Sequence, residues 1–449
     1  MESWDAVETR ARLARREVSP REVIDAAVAR AEAAGDLGAI VTETFERARR
    51  ESARAAGPLA GVPTFVKDLA DVAGVRIGWG TRAVGEVVSR RSSPTVRLLG
   101  AMGLVSLGKS ATPELGMTAT TEPLAHGPCR NPWDRERSAG GSSGGAAALV
   151  AAGVVPIAHA SDGGGSIRIP ASSCGLVGLK VTRGRLDMEA STLLPINLAV
   201  HGVVTRSVRD TVAFWQAVEA LRPTRRPIRT PRRPKRLRVG VFSDSPLGGA
   251  VSPDVRAAVE RAARLCAELG HDVEQVRAPY SVEVIDDFVR YWALLAWLQD
   301  RGGRVLVHPS FDRARLEPWT RELSRWCERE PLPLARAVVR LRRFSQRFRM
   351  AHDVLVSPVV AHPPPRLGHL APDLPFDVAM ARIREHCPFT GIINALGTPA
   401  ISLPLGRSAE GLPIGVQFAA RAHEEATLLG LARDLEQAAP FATRGGGAG

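Results

Sequence analysis

Acidic residues are outnumbered in this sequence, and aromatics, cysteines and long apolar runs are all scarce. Asp and Glu number 47 against 60 Lys and Arg, a formal charge of +13. Aromatics make up 5% of the 449 residues, with only two tyrosines. Cys129, Cys174, Cys266, Cys327 and Cys387 are an odd, scattered set with no CxxC pair, so neither a disulfide framework nor a zinc site is suggested. The N-terminal MESWDAVETRARLARRE lacks the apolar centre of a signal peptide. The longest mostly apolar run, Ala146 to Ala160, is too short to span a membrane and contains Pro156 and His159. A soluble, reducing, cytoplasmic setting is the expectation. What remains is globular composition: 45% hydrophobic and 24% charged residues exclude a disordered or collagen-like chain.

The excess positive charge concentrates in Arg222 to Arg238, RPTRRPIRTPRRPKRLR. Such a patch could hold phosphates through counterion release. No recognition helix adjoins it and no aromatics interleave for base stacking, so a proline-stiffened connector over 222–238 is the better reading and no nucleic acid is expected.

Helices and strands alternate along the chain. Ser19-Pro20-Arg21-Glu22 is a capping box with proline at the first helical position, followed by an apolar stripe from Val23 to Ala31. Gly61 to Asp68 (GVPTFVKD) reads as a buried strand carrying one lysine, Leu104 to Gly108 as another strand, and Pro113 as the start of a short helix. Between Ser138 and Arg185 two glycine-rich loops each run into a helix, with the β-branched strand VVPIAHA between them. The end of the chain reads strand, strand, helix. The pattern predicts an α/β fold with a mixed central sheet surrounded by helices. Residues 280–389 hold 12 of the 22 aromatics in segments of helical period, which makes 240–390 the mostly helical, variable part. The terminal 443–449 is expected to fray.

Gly103 to Ser110 fits the phosphate-loop pattern GxxxxGK[ST], but its intervening residues themselves look like a strand, and Pro113 interrupts any helix behind them. No nucleotide site is expected there. The serine loops are more informative. Ser142 lies in GGSSGG, and 24 residues later comes Ser166 in Asp162-Gly163-Gly164-Gly165-Ser166. Three glycines before a serine leave backbone amides free to converge on one point, which suits an oxyanion hole. No GxSxG elbow or Asp–His pairing supplies a base, and His159 reads as a core histidine. Lys67, alone in an apolar strand, is the candidate, because desolvation lowers a lysine pKa toward neutrality.

This set of residues resembles the amidase signature family. The likeness is close from Gly140 to Arg185 and extends to GVPTFVKD, to GKSATPELGM, to Asn131-Pro132-Trp133, and to GTPAISLP and GLPIGVQ near the end. The wording ASDGGGSIRIPAS is nearest to the cyclic-dimer hydrolases of nylon-oligomer degradation. Two positions depart from the family pattern: Lys180-Val181-Thr182 stands for Lys-Pro-Thr, and Gly163 for a β-branched residue. The resemblance implies a single amidase domain over 1–449, with a core at 61–210 and a return to the sheet at 391–437. It implies that Ser166 is the nucleophile, Ser142 a bridging serine on a cis peptide, and Lys67 the base. The amides of Gly163, Gly164, Gly165 and Ser166 would form the oxyanion hole, and Gly116 and Thr118 would contact substrate. Asp162 and Arg168 would lock the loops, and Ser143 would bond within its own loop. The implied activity is hydrolysis of C–N bonds in amides, with carbamates and amide oligomers as further candidates. No metal or organic cofactor is implied, and the protein would be a monomer or homodimer. The alternative is an amidotransferase A-like subunit releasing ammonia from glutamine for a charged tRNA. Trp292, Trp297, Trp319, Trp326, Phe344 and Phe348 are the candidate walls of an apolar pocket that prefers bulky or aromatic substrates.

Overall fold

A computed structural model describes residues 4–188, 194–228 and 235–442. Part of the basic connector (229–234) and the whole 443–449 tail lie outside these residues.

An eight-stranded mixed sheet forms the middle of the molecule. In spatial order its strands are Asp272–Gln275, Arg238–Val241, Val354–Pro358, Pro413–Ala420, Ala400–Arg407, Val177–Lys180, Val200–Thr205 and Ile157–Asp162. The first three are mutually parallel and every later pairing is antiparallel. A second, three-stranded sheet runs Ile40–Glu43, Val105–Ser110, Pro63–Lys67. The expected α/β fold is the one observed, and among the described residues no helix is long and apolar enough to cross a membrane.

Burial explains the local choices. Every residue of Pro63–Lys67 and of Ile157–Asp162 is buried, including the polar Thr64, Lys67, His159, Ser161 and Asp162, so neither strand alternates between core and solvent. The helix Gly144–Ala151 is also buried throughout, because Gly and Ala let its backbone approach the neighbouring strands closely. The Ser19 capping box opens the helix Pro20–Ala33 as expected: Ser19 Oγ accepts from the Glu22 N–H at 3.2 Å, and Glu22 Oε2 accepts from the Ser19 N–H at 2.7 Å.

Three expectations need adjustment. Pro113 is followed only by a single 3-10 turn, Glu114–Gly116, in which Leu115 adopts a positive φ of 52°. The strand over Leu104 to Gly108 sits slightly later, at Val105–Ser110, and takes in the lysine of the false phosphate loop. Lys109 is buried there against Asp68 (Nζ–Oδ1 2.7 Å), and no helix opens behind it. The 240–390 stretch carries long helices, Val282–Leu306, Pro318–Arg329 and Pro331–Arg347 among them, but it also supplies Val354–Pro358 to the interior of the sheet and Asp272–Gln275 to its edge. Their short length hid them among the helical segments.

Candidate active site

The two sheets meet where the candidate residues lie. Ile157–Asp162 is an edge strand of the large sheet, and Pro63–Lys67 is an edge strand of the small one. The Lys67 backbone N–H donates to His159 Nδ1 at 3.2 Å, and the other ring nitrogen of His159 lies 3.0 Å from His201 Nδ1. Burial, with His201 and Lys67 nearby, holds His159 well below the usual histidine range. It is a neutral core histidine, and it ties the two sheets together.

Lys67 is completely buried and its Nζ is ringed by hydroxyls: Ser142 Oγ at 2.7 Å, Ser143 Oγ at 2.9 Å and Ser161 Oγ at 3.1 Å. Burial pulls its pKa down to about 7, against the opposing pull of the Asp162 carboxylate. The Gly141–Ser142 peptide is cis. Ser143 does more than brace its loop. Besides contacting Lys67 it donates to the Ser161 carbonyl at 3.2 Å, joining the first serine loop to the strand that leads into the second. Sequence reasoning missed Ser161; the only signal was a hydroxyl immediately before Asp162.

The second loop is held from beneath by Asp162 and Arg168, both 0% exposed. Arg168 Nη2 donates to Asp162 Oδ1 at 2.9 Å and to Asn394 Oδ1 at 2.6 Å, while Nη1 donates to Gln417 Oε1 at 2.6 Å and to the Thr390 carbonyl at 3.2 Å. Burial disfavours the Asp162 charge, but Arg168 outweighs it and holds the carboxyl below the usual carboxylate range. A loop-locking role for this pair fits its contacts. Sequence reasoning also missed Thr390 and Asn394; an asparagine inside the apolar helix Gly391–Leu396 was the available clue.

One expected detail of the loop is corrected. The Gly165 N–H donates to Asp162 Oδ1 at 2.8 Å, so it is committed to holding the loop and not aimed at a carbonyl oxygen. Among the described residues no backbone acceptor takes the N–H of Gly163, Gly164 or Ser166. Gly165 has a φ of 129°, and a methyl there would lie 2.4 Å from Thr390 Oγ1, so only glycine fits.

Ser166 is 7% exposed and opens onto a cavity of about 100 Å³. Thr118 and Gly164 line the same cavity, and Thr118 Oγ1 is buried with no hydrogen-bond partner among the described residues. Gly116 lies beside Ser142: a methyl added to it would sit 3.5 Å from Ser142 Oγ. The walls are apolar, with Phe288, Trp292 and Trp319 contributing the rings. Both indoles donate to the Met117 carbonyl, at 3.0 and 3.1 Å, which fixes them to the loop that carries Thr118. Trp297 instead donates to Glu328 on the surface, Trp326 packs among the helices, and Phe344 packs on Phe348 away from the cavity. Of the six aromatics singled out, two reach the cavity. Cys387 lines it too, but burial pushes its thiol up to about 12, so it offers no competing thiolate. Among the described residues on the wall, Arg384 is the one charged side chain, and it donates to Asp286 at 2.6 Å.

Known proteins resemble this chain along nearly its whole length. The family model described as Amidase matches residues 22–429. AmiC of Mycobacterium leprae, a putative amidase by name, is 44% identical over 95% of this chain and 93% of its own length. The 6-aminohexanoate-cyclic-dimer hydrolase of Paenarthrobacter ureafaciens is 36% identical over 98% of this chain and 96% of its own. A solved structure of 6-aminohexanoate cyclic dimer hydrolase complexed with substrate superposes with a TM-score of 0.88 at 33% identity, covering 98% of both chains.

Proposed function

The chain belongs to the amidase signature family, a hydrolase acting on carbon–nitrogen bonds other than peptide bonds, and from that premise we propose that it cleaves amides through an acyl-enzyme on Ser166. The observation that carries this reading is the buried Lys67 Nζ 2.7 Å from Ser142 Oγ, beside a loop with three amides that no backbone acceptor takes among the described residues.

A neutral lysine amine has two protons and one lone pair. As an ammonium Lys67 donates to all three surrounding hydroxyls; once neutral it keeps two N–H for Ser143 and Ser161 and turns its lone pair to the nearest, Ser142. Ser142 in turn takes the proton of Ser166 as the Ser166 oxygen bonds to the amide carbon. The carbonyl π pair moves onto oxygen, and the amides of Gly163, Gly164 and Ser166 are the donors available to receive that charge. When the C–N bond breaks, the proton travels back from Lys67 through Ser142 to the leaving amine. Water then attacks the acyl-serine carbon, giving a proton to the same relay; the bond from that carbon to Ser166 Oγ breaks, the relay returns the proton to Ser166, and the carboxylic acid leaves. Each step moves protons only between groups of this chain, substrate and water.

The cavity is walled mostly by aromatic and aliphatic side chains, and among the described residues the Thr118 hydroxyl on it has no hydrogen-bond partner. This supports bulky or aromatic apolar amides as substrates, with aryl carbamates and cyclic amide dimers of the kind named for one relative as members of the same class. Glutamine is disfavoured: its carboxylate needs a fixed cation, and Arg384 is already neutralised by Asp286. The amidotransferase alternative therefore stays behind. Ser166→Ala tests the proposal. It should lower kcat by several orders of magnitude for an aryl amide and prevent labelling by a serine-directed fluorophosphonate. Substantial turnover by the variant would overturn it.

A further inference from the structure

We infer that Thr390, outside the two serine loops and far from them in sequence, is a positioning residue that fixes the oxyanion-binding amides by clamping one peptide plane from its far side. The inference rests on Ser166 being the nucleophile and on its loop holding the oxyanion.

That loop has little rigidity of its own. Gly163, Gly164 and Gly165 have no side chains to pack, so nothing intrinsic fixes the orientation of the peptide planes between them. Electrostatic stabilisation of an oxyanion depends on donors oriented before the reaction, because reorienting them during it costs part of the gain. Something must therefore hold the loop, and the hydrogen bonds identify it. The Thr390 hydroxyl donates to the Gly164 carbonyl at 2.7 Å. The N–H at the other end of that same peptide, on Gly165, donates to Asp162 Oδ1 at 2.8 Å. One peptide plane is thus gripped at both its C=O and its N–H.

The flanking peptides inherit that orientation. Gly164 N–H belongs to the peptide before the clamped one and Ser166 N–H to the peptide after it, and among the described residues neither has a backbone acceptor. The two clamps are themselves joined. Arg168 Nη1 donates to the Thr390 carbonyl at 3.2 Å, and Nη2 donates to Asp162 at 2.9 Å. Thr390, Arg168, Asp162 and the 164–165 peptide therefore form a closed ring of hydrogen bonds. Thr390 is fully buried, so its hydroxyl is kept for the Gly164 carbonyl and not shared with bulk water. Its position also accounts for the glycine at 165, where any Cβ would strike the Thr390 hydroxyl.

The test uses the full-length enzyme with Thr390→Val, which keeps the shape but removes the hydroxyl, and Thr390→Ser, which restores the hydroxyl without the methyl. For an aryl amide, Thr390→Val should lower kcat about tenfold or more while KM stays within about twofold, less than the loss of a direct oxyanion donor. Its affinity for an aryl trifluoromethyl ketone, which presents an oxyanion on addition of a serine, should fall by a similar factor. Thr390→Ser should return both values to within about threefold of the parent. Unchanged kcat in Thr390→Val overturns the inference, as does a loss appearing only in KM. If the valine protein does not fold, the serine variant still decides, because a tenfold loss of kcat in it would show that the hydroxyl is not what matters. Full activity in Thr390→Val together with an inactive Ser166→Ala refutes the clamp and leaves the nucleophile standing. Activity in Ser166→Ala refutes the nucleophile itself.

Discussion

The pH dependence of catalysis should follow the ionisation of Lys67. In the proposed relay Lys67 works as base only when neutral, and burial brings its pKa down to about 7. The neutral fraction then rises from about one tenth at pH 6 to about nine tenths at pH 8, so kcat/KM should climb about tenfold over that interval and level off above it. A lysine at its ordinary value near 10.4 would be neutral in less than about one molecule per thousand at pH 7. Desolvation therefore raises the population of working base by about three orders of magnitude, partly offset by the weaker basicity of the amine. A second perturbation ties the profile to this group. Ser161 Oγ, 3.1 Å from Lys67 Nζ, accepts from the ammonium and favours the charged form. Ser161→Ala should accordingly move the acid limb to lower pH. The assay is initial-rate hydrolysis of an aryl anilide from pH 5 to 10 at constant ionic strength, with aliquots returned to pH 7.5 to confirm that the enzyme survives each buffer. A flat profile, or one still rising tenfold per unit above pH 8, would refute the assignment of a depressed lysine as base.

Two further predictions concern what lies beneath and beside that base. Arg168→Leu leaves the Asp162 carboxylate buried without its cation, and should cost about 3–5 kcal/mol in urea unfolding; a change below about 1 kcal/mol would mean that the neighbouring amides suffice. The aromatic walls should favour a bulky aryl anilide over propionamide in kcat/KM, and Trp319→Ala should narrow that ratio. A preference for propionamide of tenfold or more, about 1.4 kcal/mol of transition-state binding, would show that the rings serve only as packing.

Local chemistry was legible in the sequence wherever one residue stood out against its neighbours. Lys67 in an apolar strand and serines among glycines announced themselves in this way, and the false phosphate loop was marked by the apolar residues between Gly103 and Gly108 and by Pro113 behind them. What could not be read were relations across the fold. That the Gly165 amide turns to Asp162 depends on where a carboxylate three residues earlier ends up. That Trp292 and Trp319 face the cavity while Trp297 faces Glu328 depends on how the helices rotate against the body, and helical period leaves that rotation open. Thr390 gave no signal, because a threonine before an apolar helix is an ordinary residue until Gly164 is brought to it.

The seam between the two sheets has a consequence for how this protein loses activity. Lys67 is anchored in one sheet, while Ser166 follows the edge strand of the other. Side-chain hydrogen bonds join these two strands, Lys67 N–H to His159 and Lys67 Nζ to Ser161, where a backbone ladder would join strands of one sheet. The proposed base and nucleophile therefore stand on different sheets, whose edge strands pack on each other and are bridged by Ser143. A small slip along that joint would uncouple the proton relay while each sheet remained intact. On the proposed relay, activity should be lost under mild heating, pressure or dilute denaturant before the core melts.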